Sequence, residues 1–169
     1  MSAENWSACI AFTLGEEGGL VDDPGDPGGL TNFGISQAAY PNLDIATLTR
    51  GEAEAIYRRD YWSPAACDKL PAGVDLMVFD MAVNAGVAQS GRILQRCIGA
   101  EADGVIGKLT LQAAADTDAR VLVTAIGAAQ RAFYESLPQW TEFGAGWGAR
   151  CGRRTARAAH MVASAERVA

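Results

Sequence analysis

The sequence predicts a mainly α-helical fold with one small strand-and-loop insertion after the first helix. Three observations carry that prediction. Apolar residues recur at spacings of three and four in several long stretches, which is the signature of one buried helix face. Polar and larger side chains alternate in one short run, Thr31-Asn32-Phe33-Gly34-Ile35, which reads as a brief strand. Just before it, Pro24-Gly25 and Pro27-Gly28-Gly29 are strong turn signals.

The first helix is expected over residues 5–17, because Trp6, Ile10 and Leu14 fall four apart on one face. Asn5 or Ser7 is the expected cap, and Cys9 neighbours the apolar stripe. Gly18-Gly19 stops the helix, since glycine takes the left-handed conformation that a helix C-terminus favours. Thr49-Arg50-Gly51-Glu52 has the pattern of a capping box and opens a helix through Ile56, Tyr57, Tyr61 and Trp62, ended by Pro64. Pro71-Ala72-Gly73 opens the next one. There Val74, Met77, Val78, Met81, Ala82 and Ala85 make an apolar face wide enough for a central, mostly buried helix. Asp75, Asp80 and Asn84 are its polar exceptions. A further helix is expected over residues 91–99. It is followed by a tight Asp103-Gly104 turn and a helix capped by Thr110.

Residues 116–137 read as the longest helix, with Val121, Leu122, Ala125, Ile126, Ala129, Phe133 and Leu137 on its inner side and Pro138 as its stop. Trp140, Phe143 and Trp147 then lie among Gly144, Gly146 and Gly148, which reads as a turn-rich aromatic segment. A terminal helix ends near Val168. Its basic face, Arg150, Arg153, Arg154 and Arg157, has three readings: solvated, turned toward an anionic polymer, or paired with the acidic remainder of the chain.

A length of 169 residues suits one core, and no linker or internal repeat divides the chain, so a single domain over 1–169 is expected. A net charge of −6 argues against nucleic acid as the main partner. Cys9, Cys67, Cys97 and Cys151 are scattered and accompanied by one histidine, so no zinc site or other metal is expected and buried free thiols are favoured over disulfides. The first residues lack a basic region followed by an apolar run, so no ordinary signal peptide is expected. No segment is long and apolar enough to span a membrane.

The stretch from Gly15 to Ile35 holds carboxylates, glycines and prolines in a density that packing does not require. Glu17 ends a helix, where the negative pole of the helix dipole faces it and a cation would be the stabilising choice. A carboxyl placed there is expected to have a raised pKa, as a general acid near neutral pH needs. Asp22, Asp23 and Asp26 follow on the loop, and any of them can supply a second, ionised carboxylate. One raised acid and one ionised carboxylate are the chemistry of glycosidic bond hydrolysis.

The run Glu17-Gly18-Gly19-Leu20-Val21-Asp22-Asp23-Pro24-Gly25-Asp26-Pro27-Gly28-Gly29-Leu30-Thr31-Asn32-Phe33-Gly34 resembles the opening signature of glycoside hydrolase family 108, lysozyme-like N-acetylmuramidases associated with phages and secretion systems. The resemblance implies a lysozyme-like helical fold and places the family's catalytic glutamate on Glu17. It is similar, too, to the glutamate, aspartate, threonine order of phage-type lysozymes. Eight residues separate Glu17 from Asp26, as in those enzymes, and four separate Asp26 from Thr31, one fewer than in them. On this basis Glu17, Asp26 and Thr31 are the expected catalytic residues, and Asp22, Asn32, Tyr57 and Asn84 the expected substrate-binding ones.

Tyr57, Tyr61 and Trp62 are either a sugar-stacking platform or core rings, the latter being favoured. Asn84 either touches substrate or serves a buried hydrogen bond. The pattern Leu94-Gln95 followed by Asp103-Gly104-Val105-Ile106-Gly107 and Thr110 resembles small peptidoglycan-binding helical modules. The chain therefore reads as a catalytic part over 1–90 and a helical part over 91–169. The resemblance implies a peptidoglycan glycan strand as partner, no cofactor, a monomer, and delivery to the cell wall by a holin, a secretion system or a phage-like particle. A lytic transglycosylase and a non-catalytic wall-binding protein are the alternatives.

Overall fold

A computed structural model of the chain describes residues 2–17, 20 and 29–168. Among them lie seven α-helices and one two-stranded hairpin. The lysozyme-like, mainly helical architecture expected from the sequence is the one observed.

Helix α3, Val74–Ala85, is the centre of the molecule. Residues 74–82 are all buried, because the segment is apolar around most of its circumference and so needs neighbours on every side. It packs against α1 (Ser2–Glu17), α4 (Val87–Cys97), α6 (Ala119–Glu135) and α7 (Trp140–Glu166). Trp6 of α1, Phe79 of α3 and the fully buried Trp62 meet edge to face, with ring centroids 5.1–5.6 Å apart. That arrangement suits the aromatic quadrupoles. The indole N–H of Trp62 donates to Asp68 at 2.8 Å. Trp62 is thus a core ring.

Helix α2, Arg50–Tyr57, begins with the expected capping box: the Glu52 amide donates to the Thr49 hydroxyl, and the Thr49 amide to the Glu52 carboxylate. The helix continues as a π-helical stretch, Arg58–Trp62. All four cysteines are free, and three of them are buried.

Several local expectations are corrected. Asn5 does not cap α1, which starts at Ser2. Instead its side-chain amide donates to Asp75 at 2.8 Å. The alternating run is not one strand but a hairpin of β1 (Thr31–Asn32) and β2 (Ile35–Ser36), with Thr31 opposite Ser36 and Asn32 opposite Ile35. Phe33 and Gly34 close it with φ of 52° and 76°, the pair of left-handed residues that a tight two-residue turn demands.

Thr110 does not cap α5, Lys108–Asp116. Gly107 does, and Thr110 is buried beside Gln95. That glutamine explains the Leu-Gln…Asp-Gly pattern physically. Its amide donates to Asp103 and to the Val105 carbonyl, while its carbonyl accepts from the Gly104 amide, so one buried side chain ties α4 to the turn. Helix α6 starts late, at Ala119, because Asp118 accepts from the amides of Arg120 and Val121 and so caps it. Val121 points outward, at 62% exposure, rather than into the core.

The longest helix is α7, with 27 residues, and it absorbs the aromatic segment expected to be irregular. The Trp140 ring lies so close over Gly144 that an added Cβ there would meet it at 2.6 Å. That glycine leaves room for an aromatic ring and does not break the helix.

Candidate active site

No basic residue lies in the last turn of α1 to offset its terminal carboxylates. The compensation comes from α7. Arg150 donates from Nη2 to Glu17 Oε1 at 2.7 Å, across a sequence separation of 133 residues. Arg153 grips Glu16 with Nε and Nη2 at 2.8 and 2.6 Å, and this hydrogen bonding holds the Glu16 carboxyl below its ordinary range. Of the three readings of the arginine face, pairing with the protein's own acids is therefore the one observed for Arg150, Arg153 and Arg154.

Behind Glu17 the charges run into the core. The same Arg150 guanidinium donates to Asp80 Oδ1 at 2.7 Å and to Oδ2 at 3.2 Å. Arg154 Nη1 donates to Asp80 Oδ2 at 2.8 Å, and the Thr13 hydroxyl to Oδ1 at 3.1 Å. Asp80 and Arg154 have no exposed surface. Burial pushes the Asp80 carboxyl upward, but hydrogen bonds and charge from Arg150 and Arg154 outweigh it and hold the group below its usual value. Burial likewise opposes the charge of Arg150, and the carboxylates of Asp80 and Glu17 more than offset it. The result is a braced cluster of hydrogen-bonded side chains whose outer end is Glu17, itself only 20% exposed.

Glu17 lines a recess of about 230 Å³ between the helical body and the hairpin. Gly34 and Ser36 of the hairpin, Tyr40, Tyr57 and Tyr61, and Asn84 of α3 share that lining. The Tyr57 hydroxyl donates to the Phe33 carbonyl at 2.8 Å and so fastens the turn over the acid. Burial, and then the Glu17 charge, push the Tyr57 phenol upward, so it stays a neutral donor. A Cβ on Gly34 would lie 2.7 Å from the Tyr57 hydroxyl and 2.9 Å from Glu17 Oε2. Glycine is required there by both its φ and its space. Asn84 donates to the Asp80 carbonyl at 2.6 Å, which serves the buried bond and also places the side chain in the recess wall.

The other expected site residues do not appear in this lining. Asp22, Asp23 and Asp26 are outside the described residues. Thr31 does not line the recess; its hydroxyl donates to the Gly29 carbonyl at 3.2 Å. Asn32 is buried, and its amide donates to the carbonyls of Ile45 and Leu48, bracing the hairpin. Sequence reasoning did not connect Arg150, Asp80 or Gly34 with Glu17. The only signals were the arginine run and Asp80 as one of two aspartates on an apolar helix. Among the described residues no three or more His, Cys, Asp or Glu side chains gather into a metal site, and no helix is long and apolar enough to cross a membrane.

A partly shielded carboxyl, locked from behind by a half-buried arginine and facing a hairpin-roofed recess with three tyrosines, has the layout of a glycoside hydrolase. Residues 10–86 match the family Glycosyl hydrolase 108, and residues 89–152 match the Predicted Peptidoglycan domain. The chain is similar to the solved structure of SagA from Brucella abortus, with 35% identity, 95% of this chain and 97% of that chain covered, and a TM-score of 0.86. No curated protein matches it. The chain belongs to the glycosyl hydrolase 108 family, and with its second matched segment it is a peptidoglycan hydrolase.

Proposed function

We propose that the chain is an N-acetylmuramidase that cleaves the β-1,4 bond between N-acetylmuramic acid and N-acetylglucosamine, with Glu17 as the general acid. The observation that carries this reading is the polarity of the Glu17 carboxyl. Oε1 is tied to Arg150, while Oε2 lies on the Gly34 side of the recess. A positioned acid of this kind can protonate the leaving glycosidic oxygen as the bond from the sugar breaks. Tyr57 and Asn84 supply polar contacts along the same wall, and Tyr61 an aromatic face for a pyranose ring.

Asp26 is the proposed second carboxylate, on its spacing from Glu17 and the resemblance to phage-type lysozymes, and Asp22 a proposed substrate-binding residue. Thr31, on the hairpin beside the recess, is the proposed third catalytic residue on the same resemblance, and Asn32 serves by bracing that hairpin from within. The place of action is then the cell wall.

The test is turbidity clearing of purified peptidoglycan by wild type and Glu17→Gln, with mass analysis of the fragments. Wild type is expected to release reducing N-acetylmuramic ends, and the folded variant to lose roughly 100-fold or more in rate, the low end of what general acids contribute. Anhydro ends would make the enzyme a lytic transglycosylase. Sedimentation with the wall but no clearing by wild type would make it a binding protein.

A further inference from the structure

A second groove, of about 440 Å³, shares no lining residue with the Glu17 recess. One wall is the turn of Ala66 and Lys69 that precedes α3, and the other is α5 with the residues leading into it. Lys69 and Lys108 are the only lysines in the chain, and both line this groove. Neither pairs with a carboxylate among the described residues, whereas eight of the arginines do. Among the described residues no acidic one lines the groove, in a chain whose net charge is −6.

Apart from the lysines and Gln112, the lining is apolar. Ile106 and Leu111 contribute aliphatic faces, and Lys108, Leu111 and Gln112 share one stripe of α5. Ala66, on the opposite wall, holds a left-handed φ of 51°. That conformation is uncommon for alanine and is often found where the backbone is shaped for a ligand. Two ammonium groups flanking a small aliphatic floor complement a molecule that carries carboxylates beside short apolar side chains. A phosphate polymer would use the charges but not the floor.

We propose that this groove binds the acidic, alanine-rich peptide carried by each muramic acid of the substrate. The proposal rests on the peptidoglycan reading above. The carboxylates of the peptide pair with Lys69 and Lys108, and its methyl groups lie on Ile106 and Leu111. Each exposed ion pair is weak. A polymer that repeats the peptide many times converts such contacts into retention on the wall, because each further contact is intramolecular. The groove would also let an acidic protein hold an anionic substrate against long-range repulsion.

The experiment is a titration, followed by NMR, of the full chain with a synthetic L-alanyl-γ-D-glutamyl-diaminopimelyl peptide and, separately, with poly(glycerol phosphate). Cleavage of stem-free glycan strands is measured in parallel. Wild type is expected to bind the peptide with shifts centred on Ile106, Leu111 and Gln112, more weakly at higher salt. The Lys69→Glu/Lys108→Glu variant is expected to lose about tenfold in affinity, and Lys69→Arg/Lys108→Arg to retain it. Both variants should cleave stem-free strands at the wild-type rate. Absence of peptide binding by wild type, equal binding by the glutamate variant, or equally lysine-dependent binding of poly(glycerol phosphate) would overturn the assignment. Failure of wild type to cleave stem-free strands would instead count against the glycosidase reading and leave the peptide titration to stand by itself.

Discussion

The role proposed for Glu17 depends on the residue that holds it. Arg150 fixes one carboxyl oxygen and is itself fixed by Asp80, so the acid has little freedom to swing out of the recess. Arg150→Ala removes the brace without touching the recess wall. With Glu17 in its proposed role, the variant is expected to lower kcat by about 10–100-fold with a smaller change in KM, because misplacing a general acid by an ångström costs that much. Steady-state kinetics on soluble glycan fragments would show the split, and an unchanged kcat would refute the bracing role.

Asp75 is a second residue with a readable consequence. Burial pushes its carboxyl from 3.8 up to about 6, against the opposing hydrogen bonds from Leu76, Asn5 and Gly73. The folded state therefore keeps a proton that the unfolded chain has released over that window. The stabilisation is complete below the unfolded value and is lost as pH rises through the folded one, by at most about 3 kcal/mol. Asp75→Asn should flatten this part of the profile. Urea midpoints of wild type and variant at pH 4 and pH 7 would reveal it, and parallel profiles would exclude it.

At the scale of elements, the hairpin is the small part with the largest effect on the site. Its two-residue turn brings Gly34 against both Tyr57 and Glu17, so the roof of the recess depends on the absence of one side chain. Gly34→Ala combines a strained positive φ with a collision. It is expected to reduce activity at least as much as stability, the latter by about 1–3 kcal/mol. Comparing clearing rates with thermal melting would separate the two, and a variant as active as wild type would rule out this close packing. The turn was legible only in part. Alternation marked extended structure, but Phe33 in a left-handed conformation is not what phenylalanine prefers, and tertiary packing imposes it. Helix α7 was likewise misread at its start. Gly144, Gly146 and Gly148 weaken helix propensity, and the packing of Trp140 and Trp147 against the core overrides it.

At the scale of the whole molecule, Asp80 joins elements far apart in the chain: Thr13 of α1, and Arg150 and Arg154 of α7, meet on it. Asp80→Ala strands the fully buried Arg154 without its carboxylate and is expected to cost about 3–5 kcal/mol in urea unfolding. A loss below about 1 kcal/mol would mean that the ion cluster is dispensable. The Asp80 carboxyl is held below its ordinary value. Its contribution is therefore present above the unfolded pKa and disappears as pH falls through the folded one, opposite in sign to that of Asp75.

By itself the sequence determined the helical class, the buried central helix, the capping box at Thr49 and the family motif that begins at Glu17. Each of these follows from periodicity, turn chemistry or a local motif, and local patterns survive in one dimension. Only the tertiary structure decided which cation answers Glu17, why Gly34 must be glycine, and that Lys69 and Lys108 share a groove. Those facts depend on contacts across up to 133 residues, and no spacing rule reaches that far.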